Sequence, residues 1–367
     1  MAAKFDSQHR YHRHAQRAGY FQEQSHMKSL PLILVITVGG LLAFAQNQSV
    51  TVGSIDFYGY AGIDTEKLRA ALPLRAGDAF SRESRDKTVL SLRQAVKQAL
   101  GREPSDVETL CCDERGRIMV YIGFQRADWA QHFQYNPAPQ ASLRLPPAAI
   151  EVYTAADEAL SNALMRGVSG EDESQGYSLS VDPEARAKQL ALHDYAARNA
   201  ALLRRVLESA KDVEQRRIAA ELVGYTGSSQ EQFDALVHAS RDIDAIVRNN
   251  AIRALGVVAG SNPTLAARIP ADSFIELLNS GTWTDRNKAT FVLAVLTERR
   301  DPKLLARLEA KALDSLLEMA RWHSLGHAYM PRLLVGRIAG IDEQELIGMI
   351  VRGEVEPIIA ALSARKK

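Results

Sequence analysis

The chain has 367 residues, 46% of them hydrophobic and 24% charged, a composition that supports two folded units and excludes wholesale disorder. Lys+Arg (45) and Asp+Glu (44) nearly cancel, so no basic excess points to nucleic acid or to an anionic membrane surface. Residues 1–45 carry Lys4, Arg10, Arg13, Arg17 and Lys28 against Asp6 and Glu23, a net +3, which leaves the rest of the +1 chain at −2.

The first 26 residues hold four of the nine histidines and show no apolar period, so residues 1–26 read as a disordered extension, with translation expected to begin at Met27. Residues 27–45 read as an export signal. Met27-Lys28 opens a short positive region, Leu30 to Leu42 is almost wholly apolar, and Ala43-Phe44-Ala45 has the small-x-small spacing that signal peptidase cuts, here before Gln46. The apolar stretch is shorter than the roughly 20 residues of a membrane span and contains Gly39-Gly40, which favours cleavage over permanent anchoring.

From 50 to 125 the pattern changes at short intervals. Val52, Ile55 and Phe57 form a strand-like run, and Asp64-Thr65-Glu66 offers an N-cap for a short helix over Lys67 to Leu72. After the break at Pro73–Asp78, a longer helix runs from about Ser81 to Leu100, with Gly101 as its stop. Two β-rich runs, Val107–Cys112 and Arg117–Phe124, flank the turn Asp113-Glu114-Arg115-Gly116. The order is β-α-α-β-β, a small α+β unit. Cys111 and Cys112 are the only cysteines; adjacent thiols do not suit ordinary disulfide geometry, so no staple is expected, and the pair reads as strand residues facing opposite ways. Ile55-x-Phe57-x-Gly59, the "LRAGDAFS" turn and the closing hairpin resemble a POTRA domain, the small module of outer-membrane barrel assembly and of some division proteins. That resemblance implies peptide recruitment by strand addition at a sheet edge. No series of alternating strands follows, which excludes a barrel pore.

Residues 126–149, with Pro137, Pro139, Pro146 and Pro147, read as a linker, and Ile150 to Met165 has a helical apolar period. Gly170–Gly176 is rich in carboxylates but lacks the alternating Asp order of a calcium loop, so a solvated loop is expected. Asp182-Pro183 supplies an N-cap and first-turn proline for the next helix.

Self-similarity then dominates. "DVEQRRIAAELVG" from Asp212, "DAIVRNNAIRALG" from Asp244 and "TWTDRNKATFVLA" from Thr282 align without gaps, and the half-copy Asp194 to Ala201 repeats the opening. Position five is Arg216, Arg248 and Arg286; position eight is Ala219, Ala251 and Ala289; positions eleven and twelve are large or apolar throughout. Positions eight, eleven and twelve share one helical face, which stacking must bury. Each copy is followed by a second amphipathic segment, and Tyr329–Gly340 with Asp342–Val351 reads as a degenerate fourth pair. The Asp-x-x-x-Arg pattern with Ala and Leu-Gly behind it resembles HEAT repeats, the short bacterial ones included. The expected fold is therefore multidomain: the POTRA-like α+β unit, an all-α HEAT-like solenoid over 150–357, and a tail over 358–367.

In the HEAT family Asp and Arg commonly form a ladder between repeats, so Asp212, Asp244 and Arg216 read as structural, with Arg248 and Arg286 in the same role. The Arg-Asn pairs Arg248-Asn249 and Arg286-Asn287 are also the candidates for a partner-binding face, although buried bonding between repeats accounts for them first. His323 and His327 share a helical spacing suited to metal, but Gly326 lies between them and no third ligand follows, so packing is expected. Trp283, Trp322 and Tyr329 read as seam fillers before partner anchors. No phosphate loop, dinucleotide fingerprint, zinc-protease motif, nucleophile elbow or Cys-x-x-Cys occurs. The expected function is an exported, extracytoplasmic, non-enzymatic scaffold for a protein partner in the cell envelope, without cofactor, metal, catalytic residues or nucleic acid. The alternatives are a cofactor-binding enzyme resembling bilin lyases and a passive envelope spacer.

Overall fold

A computed structural model describes residues 50–81 and 83–365. The extension and export signal expected over residues 1–45 lie outside these. The α+β unit comprises β1 (Val50–Tyr58), α1 (Thr65–Ala71), β2 (Ala79–Phe80), α2 (Arg85–Leu100), β3 (Asp106–Leu110) and β4 (Ile118–Gly123). The strand order is β2-β1-β4-β3, with β1 and β4 parallel and the other pairs antiparallel. Parallel neighbours need a long crossover, and α1 and α2 supply it. The expected order recurs with one addition, the two-residue β2 formed by the "LRAGDAFS" turn. Asp64 caps α1 by accepting from the Lys67 N–H, and Gly101, at φ 71, ends α2 in the left-handed conformation. A register shift between Val52 and Ser54 turns the strand so that Val52, Ile55 and Phe57 share one apolar cluster with Leu68, Leu92 and Val96 of the two helices.

Cys111 and Cys112 directly follow β3, and here the expectation is corrected: they are joined to each other as a disulfide, with a cis peptide bond between them and Cα atoms 3.0 Å apart.

The helical array follows: α3 (Trp129–His132), α4 (Pro147–Met165), the hairpin β5 (Glu171–Asp172) and β6 (Leu179–Ser180), α5 (Pro183–Ser209), α6 (Val213–Val223), α7 (Gln230–Ala239), α8 (Ala245–Ser261), α9 (Pro263–Ala266), α10 (Ala271–Leu277), α11 (Trp283–Leu296), α12 (Pro302–Ala320), α13 (Leu325–Ala339), α14 (Glu343–Val351) and α15 (Val355–Arg365). It is a helical repeat solenoid. Helices α6, α8, α11 and α13 stack as an inner row, while α7, α10 and α12 pack behind the helix that follows or precedes each of them. Ala219, Ala251 and Ala289 are fully buried, as are Val223, Leu255 and Leu293, because the small residue brings the helices close and the large one fills the seam. The helix expected from Asp182-Pro183 runs unbroken past Asp194 to Ser209 as α5, bending at Asn199. Two boundaries differ from expectation. The first helix of the fourth pair, expected from Tyr329, starts at Leu325, which puts Pro331 inside α13. Residues Ile358 and Leu362 of α15 are buried in the main core, so the supposed tail closes the solenoid.

The ladder exists, with other acids than those aligned. Arg216 donates to both Asp242 carboxylate oxygens at 2.8 and 3.1 Å, Arg248 to both of Asp285 at 2.8 Å, and Arg286 to Glu318 at 2.9 Å. Each guanidinium also folds back on the turn before its own helix, reaching the carbonyls of Ala210, Asp242 and Ser280 respectively. Asp212 and Asp244 instead cap α6 and α8; Asp244 in addition takes Arg217 of α6 at 2.6 and 2.9 Å. Thr282 makes no side-chain cap bond, and its copy differs again two residues earlier: Ser280 stands where Asp242 did, and donates to Asp285 at 2.8 Å.

The two units are not separated by a linker. The second face of the sheet (Tyr58, Leu110, Met119, Tyr121) joins the solenoid core beside Trp283 and Trp322, so β4 is buried on both sides. Tyr121 packs 4.9 Å from the Trp322 ring and 5.4 Å from Trp283, and its hydroxyl lies 2.7 Å from His327 Nδ1. Asp106 accepts from the Tyr58 hydroxyl and the Trp283 N–H, Glu318 accepts from the Gly59 and Tyr60 N–H groups, and His323 meets Asp56 at 2.6 Å. Gly281 is required by this approach: a Cβ there would stand 2.7 Å from the Gln125 Cα. Residues 126–149, expected as a linker, form a strap that runs back over the repeat turns. Asn136 N–H donates to Arg241 O, Ala141 bridges Ala210, Leu145 N–H donates to Gln215, and the Tyr135 ring sits 4.7 Å from the Arg248 guanidinium. Burial of Trp129, Phe133 and Leu145 holds it there, which a proline count could not show.

Arg248→Met leaves Asp285 buried without its cation and is expected to lower the unfolding free energy by about 3–5 kcal/mol in urea titration; an unchanged midpoint would show that the ladder does not hold the stack. The hydrogen bond to Asp56, then its charge, raise the His323 pKa above the ordinary value. That contribution is complete below the unfolded value of about 6.5 and is lost as pH rises through the higher folded value. The melting-temperature gap between the parent and His323→Gln should therefore be widest below about pH 6.5 and shrink as pH rises above it.

Candidate functional site

Where the shared repeat positions are spent on stacking, a set of unshared ones lines a recess along the inner row. Counting from Asp244 and Thr282, positions 13, 14 and 17 are Gly256, Val257 and Gly260 in α8, and Ala294, Val295 and Glu298 in and just beyond α11, with Phe291 at position 10. Met330, Leu333 and Arg337 repeat the same spacing in α13. These residues line one groove of about 570 Å³, whose remaining wall is Glu171–Ser174 of the β5 side of the hairpin. The volume lies within the usual range for ligand sites. Gly256 leaves the space into which the Phe291 ring packs, and Gly260 faces open space.

The hairpin is fixed to the row by charge. Expected as a solvated loop, the 170–176 segment is laid on the helices: Arg253 donates to Glu171 at 2.5 Å and to Ser178 Oγ at 3.0 Å, and Arg186 donates to Asp172 at 3.1 Å. Tyr177 stacks on His193 at 4.2 Å between ring centres, and the Ser180 N–H donates to Gln189 at 2.6 Å. Glu173 accepts from Ser178 Oγ at 3.2 Å, Glu298 is exposed at the far wall, and Arg337 is engaged with Glu343 at 2.6 Å and with Thr297 Oγ1 at 2.9 Å. Beneath the hairpin lies Lys288, 4% exposed. Burial, then the neighbouring Arg253, lower its pKa to about 7, against the opposing pull of Glu171, Glu173 and Glu221. Arg253 itself is held charged, its pKa raised by Glu171 against the cost of burial.

The residues singled out from the sequence lie elsewhere. Arg248, Asn249, Arg286 and Asn287 are 2%, 4%, 1% and 1% exposed, so the expectation of an open binding face at these four is corrected: all four lie inside the stack, where the two guanidinium groups are paired with carboxylates. Arg216, Asp212 and Asp244 hold structural positions, as described above. His323 and His327 do not converge; one meets Asp56 and the other is buried against Tyr121. Trp283 and Trp322 fill the seam between sheet and solenoid. Among the described residues no group of three or more His, Cys, Asp or Glu is placed to hold a metal, and no helix is long and apolar enough to cross a membrane. The groove residues carried a signal in the sequence that the alignment of shared positions passed over. Tenth positions Glu221, Arg253 and Phe291 differ in every copy although stacking treats the copies alike.

No family model matches the chain, and no curated protein matches it. Among solved structures, an engineered protein is 17% identical over 59% of this chain and 97% of its own, with a TM-score of 0.37. A computationally designed armadillo repeat protein for modular peptide recognition is 16% identical over 50% and 92%, at 0.34. The complex of CpcE and CpcF of phycocyanin lyase from Nostoc sp. PCC7120 is 15% identical over 62% and 98%, at 0.21. Likenesses of this depth support no functional statement; the solenoid rests on the chain's own helices.

Because Lys288 binds its proton more weakly when folded, stability should rise with pH from about 7 toward the unfolded lysine value of about 10.4. Lys288→Met should remove that rise in denaturant midpoints taken across the range, and a flat profile in the parent would show that the amine stays charged when buried.

Proposed function

We propose that the protein is a non-enzymatic scaffold, exported from the cytoplasm, that holds a segment of a partner protein in the groove of the inner helical row. The observation that carries this reading is the groove itself: three successive helices present an apolar floor of Val257, Phe291, Val295, Met330 and Leu333, while the ridge of repeat turns is covered by the chain's own strap. A partner therefore meets the inner row. The HEAT-like identity of the array is supported by its aligned copies and guanidinium ladder. The POTRA-like identity of the α+β unit is supported by the parallel β1–β4 pair joined through two helices, with β4 central. Export is supported by the apolar run before Gln46 and places the partner in the cell envelope.

Photo-crosslinking amino acids at Gly260 and Glu298, in the groove, are expected to yield a discrete adduct in cells, whereas the same probe at the exposed Leu190 of α5 yields none. Equal labelling from all three positions, or none, would remove the groove from consideration. Terminal sequencing of the envelope fraction should begin near Gln46, and an intact terminus in the cytoplasm would overturn the export reading.

A further inference from the structure

The groove's floor is apolar but its rim is not. Glu171, Asp172, Glu173 and Glu298 line it against one guanidinium, that of Arg337, which already carries Glu343. Arg253 and Arg186 offset Glu171 and Asp172 at 2.5 and 3.1 Å. Glu298, exposed beyond α11, makes no ion pair among the described residues, and Glu173 accepts from Ser178 Oγ while its charge reaches Arg253 and Lys288 through space without a direct ion pair. Two long helices also end here. α8 finishes at Ser261 and α11 at Leu296, so the negative ends of both helix dipoles border the same space. A half-enclosed cleft with low-dielectric walls concentrates such a field.

Resting on the groove reading above, we infer that the bound segment is an extended, cationic peptide: a lysine or arginine held by Glu173 and Glu298, beside a large apolar side chain seated on Phe291, Val295, Met330 and Leu333. Its affinity falls as salt rises, since the rim carboxylates are accessible to solvent. A neutral apolar segment fills the floor but leaves the rim charge unanswered, and an acidic one is repelled. The groove's 570 Å³ exceeds what a single basic side chain occupies, which is why the apolar neighbour belongs to the recognised unit.

The test uses purified protein on an array of immobilised random 12-residue peptides, with affinities of retained sequences measured by fluorescence anisotropy. Retained peptides are expected to place Lys or Arg within two residues of Leu, Ile, Met or Phe. Glu298→Gln alone is expected to weaken them severalfold without moving the melting temperature, and the pair Glu173→Gln with Glu298→Gln about tenfold. Retained peptides that are neutral or acidic, or an affinity indifferent to the paired substitution, would overturn the cationic assignment while leaving a peptide groove in place. Spermidine competing as well as the peptide would overturn the peptide and leave a charge site. Gly260→Trp, which fills the groove from a position whose Cβ meets open space, separates the two readings: it abolishes binding if the groove is the site. Retention unchanged by that variant, or no retained peptide at all, would defeat the groove reading itself.

Discussion

Each repeat is held by a buried guanidinium that does two jobs at once. Arg216, Arg248 and Arg286 bind carbonyls of the turn preceding their own helix and a carboxylate further along the chain, Asp242 before α8, Asp285 in α11 and Glu318 in α12. A charge this deeply buried is tolerable only when its donors are paired, so the geometry of one turn and the spacing to the next helix pair are set together. The acid need not stay at one aligned position. Where Ser280 replaces the Asp242 type of residue, Asp285 of α11 moves into the role and Ser280 donates to it. What persists along the stack is the electrostatic requirement, while its sequence address shifts.

The third rung extends that requirement beyond the solenoid. Glu318 receives Arg286 and also the Gly59 and Tyr60 N–H groups at the end of β1, so the α+β unit is bonded to the same carboxylate that completes the ladder. Around it, Tyr58, Tyr121, Trp283, Trp322 and His327 form one aromatic cluster. A sheet whose second face is buried this way is a continuation of the helical core. The strap over 126–149 is its corollary: a chain that must return from the docked sheet to the start of the array runs across the repeat turns, and its apolar side chains bury there.

With the turn ridge covered and the sheet face docked, the inner row keeps a groove beside the hairpin. There the copies differ most: positions 10, 13, 14 and 17 are not shared between them, and Gly256 and Phe291 pack as a matched pair instead of a repeated one. Small residues at Gly256 and Gly260, apolar ones in α11 and α13, and carboxylates from the hairpin and from Glu298 make a cleft that is apolar below and negative above. The most repetitive residues build the frame and the least repetitive ones give it chemical character.

The sequence by itself determined the local layer: the order β-α-α-β-β, the caps at Asp64, Asp182, Asp212 and Asp244, the alanine and leucine seam, and the existence of stacked helix pairs. Those depend on periodicity and capping chemistry, which are written in neighbouring residues. Only the tertiary structure decided which acid answers which arginine, that the Arg-Asn pairs are interior, that the proline-rich stretch is a strap, that the acidic loop is a hairpin against Arg253, and that the sheet docks at Trp283 and Trp322. Each of these pairs residues that are 26 or more positions apart, or turns on which face of an element stays uncovered, and neither is encoded in local spacing. The groove belongs to both: its residues were visible as differences between copies, but that they converge on one cleft with a negative rim depends on how three helices and a hairpin pack.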